Sequence, residues 1–316
     1  RRDSVASAAV LMPPSISVLM PVFNAERFVA AATESVLAQS FTDFEFIILD
    51  DGSTDSSLSI LKRYADSDRR IRLISRPNRG LIETLNEMIA ISSGEFLARM
   101  DADDLCHPER FARQADFLRH NEEVAVVGSR GLHVDPDGDP LQEFLEHLSH
   151  EQINAALMTT SLGIIHPAAM MRRAQVLELG GYRAEFKHAE DLDLWLRLGE
   201  RHRLQNLAEV LINYRVHSGS VSHTYRLEQT RAAWLAVDEA RARRGLPPRE
   251  THPPPAHDAS HYDTRRMWGW WALGSANLRT ARKHALRLVL RQPLVLGNWK
   301  LLACVTRDML IRGRSN

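Results

Sequence analysis

Four times before His120 a short apolar run is followed by a polar loop and then by apolar residues at helical spacing. The runs are Ser15–Met20, Phe44–Leu49, Ile71–Ser75 and Phe96–Met100, rich in β-branched and aromatic side chains that suit buried strands. The segments after them predict helices over Glu26–Gln39, with Asn24 as N-cap, over Ser56–Ala65 and Leu81–Ser92, and from Pro108 to His120. Consecutive βα units of this kind imply a parallel, doubly wound sheet. In such a sheet ligands bind beyond the carboxyl ends of the strands, and all of these loops lie on that edge.

Those loops are unusually acidic. The second strand runs into Asp50-Asp51-Gly52-Ser53-Thr54-Asp55, and the fourth into Asp101-Ala102-Asp103-Asp104. In an extended chain, side chains two apart share a face, so Asp101 and Asp103 should point at one object while Asp104 turns away. Facing carboxylates raise one another's pKa unless a hard divalent cation lies between or beside them. Taken alone, each loop also reads as an ordinary polar turn. No Gly-x-Gly-x-x-Gly follows any strand and no Gly-x-x-x-x-Gly-Lys-Ser/Thr occurs, which removes the usual phosphate loops. A nucleotide would instead be held by carboxylates on base and ribose, and by a metal and arginines on the phosphates.

The second half carries another chemical concentration. Val124–Gly128 predicts a further strand, Asp135–Pro140 a surface turn without the late glutamate of a calcium loop, and Ile164–Met171 an apolar stretch around His166-Pro167. In Glu190-Asp191-Leu192-Asp193-Leu194-Trp195 a helical reading places Asp191 and Trp195 on one face, although Asp191 could also serve merely as an N-cap. Val210–Val216 predicts a last strand, left by His217-Ser218-Gly219, and Leu227–Arg244 a helix.

Charge divides the chain. The net charge is zero, but Arg265–Asn316 holds eleven Lys or Arg and one acid, 11 − 1 = +10, which leaves −10 elsewhere. Arg279, Lys283, Arg287 and Arg291 recur every four residues opposite Leu278, Ala281, Ala285 and Leu288, and a second amphipathic helix is expected over Trp299–Ile311. That stripe reads either as a solvated face packed on the main domain or as a contact for anionic lipid or an acidic polymer. Nucleic acid is not expected, because the tail's tryptophans are not interleaved with the basic stripe. Cys106 and Cys304 have no partner spacing, so neither a disulfide framework nor a thiolate metal site is expected, and a reducing cytosol is the default compartment. No apolar stretch approaches the roughly 18 residues of a membrane span.

In order and spacing, Pro21-Val22-Phe23-Asn24-Ala25-Glu26, Asp50–Asp55, Asp101–Asp104 and Glu190–Trp195 resemble the family 2 glycosyltransferases, from about residue 15 to 222. The resemblance implies a GT-A-type α/β fold: a doubly wound, mostly parallel nucleotide-binding sheet with a C-terminal α-helical appendage. It divides the chain into a loose leader (1–14), a glycosyltransferase domain (15–222, donor half 15–130, acceptor half 131–222) and a helical region (223–316) with a proline-rich linker over 247–255. It further implies inverting, metal-dependent transfer from a nucleotide-sugar, a UDP-sugar, to a hydroxyl acceptor in polysaccharide or glycoconjugate assembly, on a saccharide or lipid-linked acceptor.

By the same resemblance Pro21, Phe23, Glu26, Asp51, Arg76, Gly80 and Asp101 bind nucleotide. Asp103 and His217 hold Mn²⁺ or Mg²⁺, Asp191 is the general base, and Glu190, Trp195 and His166 face the acceptor. The implied location is the cytoplasm, at the inner face of the plasma membrane if the basic helices touch lipid. Beside this stand structural readings: Trp195 in the core, His166 and His217 as structural histidines, Glu190 in solvent. Two other functions use the same acids, a nucleotidyltransferase and a non-catalytic nucleotide-sugar-binding protein.

Overall fold

The computed structural model describes residues 13–217, 226–249 and 261–312. Residues 1–12 of the expected leader, the loop after His217 and most of the proline-rich segment lie outside them. The N-terminal part of the sheet is built as the repeats predict. Strands β1 (Ile16–Val22), β2 (Phe44–Asp50), β3 (Ile71–Ser75) and β4 (Phe96–Arg99) pair in parallel in the order β3-β2-β1-β4, joined by helices α1 (Val29–Leu37), α2 (Ser57–Ser67) and α3 (Leu81–Ile91).

The rest of the sheet mixes directions. Strand β5 (Leu105–Cys106) and helix α4 (Arg110–His120) lead to β6 (Val124–Val134), β7 (Pro140–Phe144), α5 (His150–Met158), β8 (Met170–Arg172), α6 (Arg173–Glu178), α7 (Glu190–Gly199) and β9 (Arg203–Arg215). The order is β3-β2-β1-β4-β8-β6-β9-β5, with β7 on β6. β8 is antiparallel to both β4 and β6, β9 is parallel to β6, and β5 is antiparallel to β9.

Both faces of the sheet are covered, which is why its strands read as continuous apolar runs. Leu19, Ile47, Leu49 and Leu97 join one buried cluster with residues of α3, α5 and α7. Their neighbours Val18, Met20, Ile48 and Ala98 join the other, under α1 and α4. The alternation follows from the two-residue period of a strand, and each fully buried aliphatic side chain contributes about 1.5–3 kcal/mol.

Three sequence expectations give way. Asn24 does not cap α1, which starts at Val29 after Phe28. Instead Asn24 takes φ +50° and its Oδ1 accepts the Thr54 N–H at 2.8 Å, while between the same two loops the Glu26 N–H donates to Asp55 Oδ2 and Glu26 Oε2 accepts the Ser56 N–H. Cross-loop bonding wins over local capping because it satisfies backbone donors of both loops. Asp104 does not turn away from Asp101 and Asp103, because the chain leaves β4 in a turn and the two-residue alternation of a strand lapses. The turn over 135–140 is not wholly surface: Asp135 is fully buried, its Oδ1 taking the N–H groups of Asp137 and Asp139.

The C-terminal helices are α8 (Arg226–Arg243), α9 (His261–Gly274), α10 (Leu278–Arg291) and α11 (Leu296–Arg312). α8 packs on α7. α9–α11 enclose their own apolar cluster around Trp268, Ala281, Leu288 and Leu301, joined by Leu141 of β7. Their seat on the sheet is electrostatic as well: Lys283 pairs with Asp135, Asp137 and Asp139, His284 Nε2 lies 3.0 Å from Asp135 Oδ2, and Arg287 lies 3.2 Å from Asp137. Half of the basic stripe therefore faces the protein's own acidic turn.

Candidate active site

β4 delivers three carboxylates to one place. One oxygen each of Asp101, Asp103 and Asp104 lies within 4.8 Å of the others. The chain's own groups meet only part of what they accept. Asp103 Oδ2 is 2.8 Å from His217 Nε2, and Asp104 Oδ1 takes the Arg215 N–H at 2.7 Å. The other oxygen of Asp104 is buried with no hydrogen-bond partner. Burial, and then the charges of Asp103 and Asp101, lift the Asp104 carboxyl well above the carboxylate range.

A buried orphan oxygen in an all-oxygen acidic cluster fits a hard divalent cation such as Mg²⁺ or Mn²⁺. His217 arrives from the end of β9, its ring 5.3 Å from that of Phe28. Arg215 braces the same corner, giving Nε–H to the Asp103 carbonyl and stacking its guanidinium over Phe28.

Arg99, on the strand itself, was not singled out by the sequence reading. It is 2% exposed, and its Nη1 stands 2.7 Å from Asp101 Oδ1. Its charge also bears on Asp104, Glu190 and Asp191, favouring their ionised forms. An arginine inside an otherwise apolar strand, two residues before an acid, was the available signal.

Asp51 sits at the mouth of β2 and is engaged by the chain: Arg76 pairs with Oδ1, which also takes the Arg79 N–H at 2.9 Å, while the Gly80 N–H reaches Oδ2 at 2.8 Å. Gly80 has φ +90°, a conformation that favours glycine. Pro21 lies in β1 opposite Leu49, Phe23 is half exposed, and Glu26 is tied to the Ser56 N–H. These residues form a rim along the ends of β1, β2 and β3.

The second carboxylate pair opens α7. Glu190 is buried and pushed up to about 7, by burial first and then by the Asp191 charge. Burial also raises Asp191, which Arg99 opposes and Asp101 reinforces. The influence of Asp101 on Asp191 places the two acid groups in one electrostatic field. His166 Nε2 pairs with the Tyr182 hydroxyl at 2.7 Å, and burial keeps its imidazole neutral to well below the usual histidine range.

Trp195 is 1% exposed and meets the His166 ring edge-on at 5.9 Å. On the same helix Asp193 is fully buried and ion-paired to Arg183 and Arg197. Beside Asp191 a cavity of about 290 Å³ is lined by Leu162, Ile164, His188, Trp195, Gln229 and Thr230. The site thus has an acidic floor at β4, a rim at β1–β3, and a separate pair of carboxylates, buried Glu190 and partly buried Asp191, the latter lining a cavity.

Known proteins resemble this chain in sequence and in fold. The profile described as "Glycosyl transferase family 2" matches residues 17–180. The Bacillus subtilis (strain 168) protein EpsE, which carries a glycosyltransferase name, is 35% identical over 223 residues, covering 68% of this chain and 79% of its own. The O-antigen biosynthesis glycosyltransferase WbnJ of Escherichia coli is 32% identical over 209 residues, 65% of this chain and 81% of its own.

Among solved structures, the Pyrobaculum calidifontis mannosyltransferase PcManGT in complex with GDP-Man and Mn²⁺ superposes with a TM-score of 0.58 at 18% identity, over 94% of this chain and 81% of that one. S. aureus TarS 1-349 in complex with UDP gives 0.57 at 17%, over 81% and 70%. The fold is GT-A-like, and with a matched profile over more than half its length the chain belongs to glycosyl transferase family 2.

Proposed function

We propose that this glycosyltransferase transfers a sugar from a UDP-sugar to a hydroxyl acceptor with inversion at the anomeric carbon. The observation that carries this reading is the presence of two distinct acidic groups, Asp101–Asp103–Asp104 after β4 and Asp191 at the start of α7. The rim formed by Pro21, Phe23, Glu26 and the Asp51–Arg76–Gly80 knot suits a nucleoside. Asp101 reaches toward the ribose, and Asp103 with its neighbours and His217 would hold Mn²⁺ or Mg²⁺.

Such a cation supplies Lewis-acid stabilisation of negative charge on the departing diphosphate. Asp191 accepts the acceptor's hydroxyl proton while the acceptor oxygen bonds to the anomeric carbon and the carbon–phosphate-oxygen bond breaks. Glu190, His166 and Trp195 line the acceptor side. WbnJ, named for O-antigen biosynthesis, supports a role in polysaccharide assembly, and TarS with UDP and PcManGT with GDP-Man both accord with a nucleotide-sugar donor; the choice of uridine rests on the sequence resemblance. Family membership favours glycosyl transfer over nucleotidyl transfer or passive binding.

Thermal-shift measurement with UDP, GDP and their sugars, with and without Mn²⁺, tests the reading. A ligand that binds only the folded state at a hundred times its Kd adds about 2.7 kcal/mol. UDP should stabilise more with Mn²⁺ than without. Stabilisation by GDP alone would replace the nucleotide, and metal-independent stabilisation would remove the cation from the acidic cluster.

A further inference from the structure

Helix α10 buries Ala281, His284, Ala285 and Leu288 and turns Arg279, Arg282, Leu286 and Leu290 to solvent. The chain then rounds a corner into α11, and the leucines there are bare: Leu290 is 80% exposed, Leu294 94% and Leu296 83%. Along α11 the outer side continues with Leu296, Trp299, Ala303 and Leu310, spaced three, four and seven residues apart, while Leu301 and Val305 point inward. Nearly complete exposure of three leucines within seven residues forms a contiguous apolar edge, unlike scattered surface leucines, which need no explanation.

The charge beside this edge has one sign. Lys283 and Arg287 face the acidic turn at 135–139. Arg291 and Lys300, by contrast, are exposed and directly follow Leu290 and Trp299 in the chain, and Arg279 and Arg282 are exposed at the opposite end of α10. An apolar edge bordered by cations, with a tryptophan that is half exposed, matches the boundary between headgroups and acyl chains. No described helix is long and apolar enough to cross a membrane, so contact through this edge is peripheral. A second copy of the chain would set cations against cations, which disfavours self-association as the use of this surface.

We propose that the α10–α11 corner docks the enzyme on an anionic lipid surface, its leucines entering the headgroup region and its arginines meeting lipid phosphates. This surface keeps Arg291 of the arginine stripe inferred from sequence, whose Lys283 and Arg287 are engaged within the protein, and adds the leucine edge to it. The proposal does not depend on the donor assignment.

Flotation of the full chain with phosphatidylcholine vesicles, with and without phosphatidylglycerol, measures it. The parent should float with anionic vesicles, less so at high salt. Leu290→Ser/Leu294→Ser/Leu296→Ser and Arg291→Glu/Lys300→Glu should each lose about tenfold or more of the bound fraction, with unchanged thermal melting and nucleotide binding. Absence of flotation by the parent, equal flotation of parent and variants, or a concentration-dependent dimer that the leucine variant abolishes would overturn it.

Discussion

Arg99 Nη1 and Asp101 Oδ1 stand 2.7 Å apart at the end of β4, and the arginine is almost wholly buried while the aspartate keeps about a third of its side chain exposed. One guanidinium thereby offsets acids that come from two distant parts of the chain, Asp101 and Asp104 on one side, Glu190 and Asp191 on the other. Without it the donor floor and the proposed base would repel each other through a poorly solvated interior.

Arg99→Met tests that role. Removing the cation should lift the carboxyl that must be ionised for transfer, moving the acidic limb of the pH–rate profile up by about one unit, which is about tenfold in rate on that limb. Activity should recover toward alkaline pH. A uniform loss at every pH would assign Arg99 to packing instead.

The two acid groups should separate experimentally. Asp103→Ala is expected to lose Mn²⁺-dependent nucleotide binding in a titration. Asp191→Asn should keep that binding and lose transfer by about 10²–10⁴-fold, the usual contribution of a positioned base. Parental transfer rates in both variants would refute the assignment.

Glu190 makes stability pH-dependent. Its folded pKa of about 7 lies above the ordinary value of 4.5, so between those limits the folded state binds more protons than the unfolded state. The contribution is fully present below about pH 4.5 and is lost as pH rises through 7, an effect on the order of 3 kcal/mol. Glu190→Gln, followed by urea denaturation from pH 5 to 8, should flatten that decline.

Asp193 has a structural task. Its fully buried carboxylate neutralises Arg183 and Arg197, and Arg197 also donates to the carbonyls of Leu179 and Gly181. Asp193→Ala leaves a buried arginine without its counter-ion and should cost about 3–5 kcal/mol in denaturant unfolding.

Lys283 ties the helical appendage to the sheet. Lys283→Met should speed hydrogen exchange in α10 while leaving the amides of β1, β2 and β4 unchanged, because its partners Asp135, Asp137 and Asp139 all lie in one turn.

The donor half was legible because its information is local. β-branched runs, helical spacing and acids at strand ends each occupy a few consecutive residues, and β3 was delimited from sequence to the residue. The antiparallel β8 was not, since Met170–Arg172 is too short to carry a period. Asn24 misled for a related reason: its side chain was free to cap α1, but a partner thirty residues away, Thr54, took it.

What the sequence determined by itself was the repeated strand–loop–helix plan, the acidic strand ends and, through four motifs in register, the family. Tertiary structure alone decided three things: that Asp104 joins Asp101 and Asp103, that Arg99 serves both acid groups, and that Lys283 is engaged with Asp135 while the leucines of the α10–α11 corner are exposed. Patterning reports which way a residue faces within its own element. Electrostatic partners are set by where elements lie, and the charge of Arg99 bears on Asp191 only because the fold brings the start of α7 within its field.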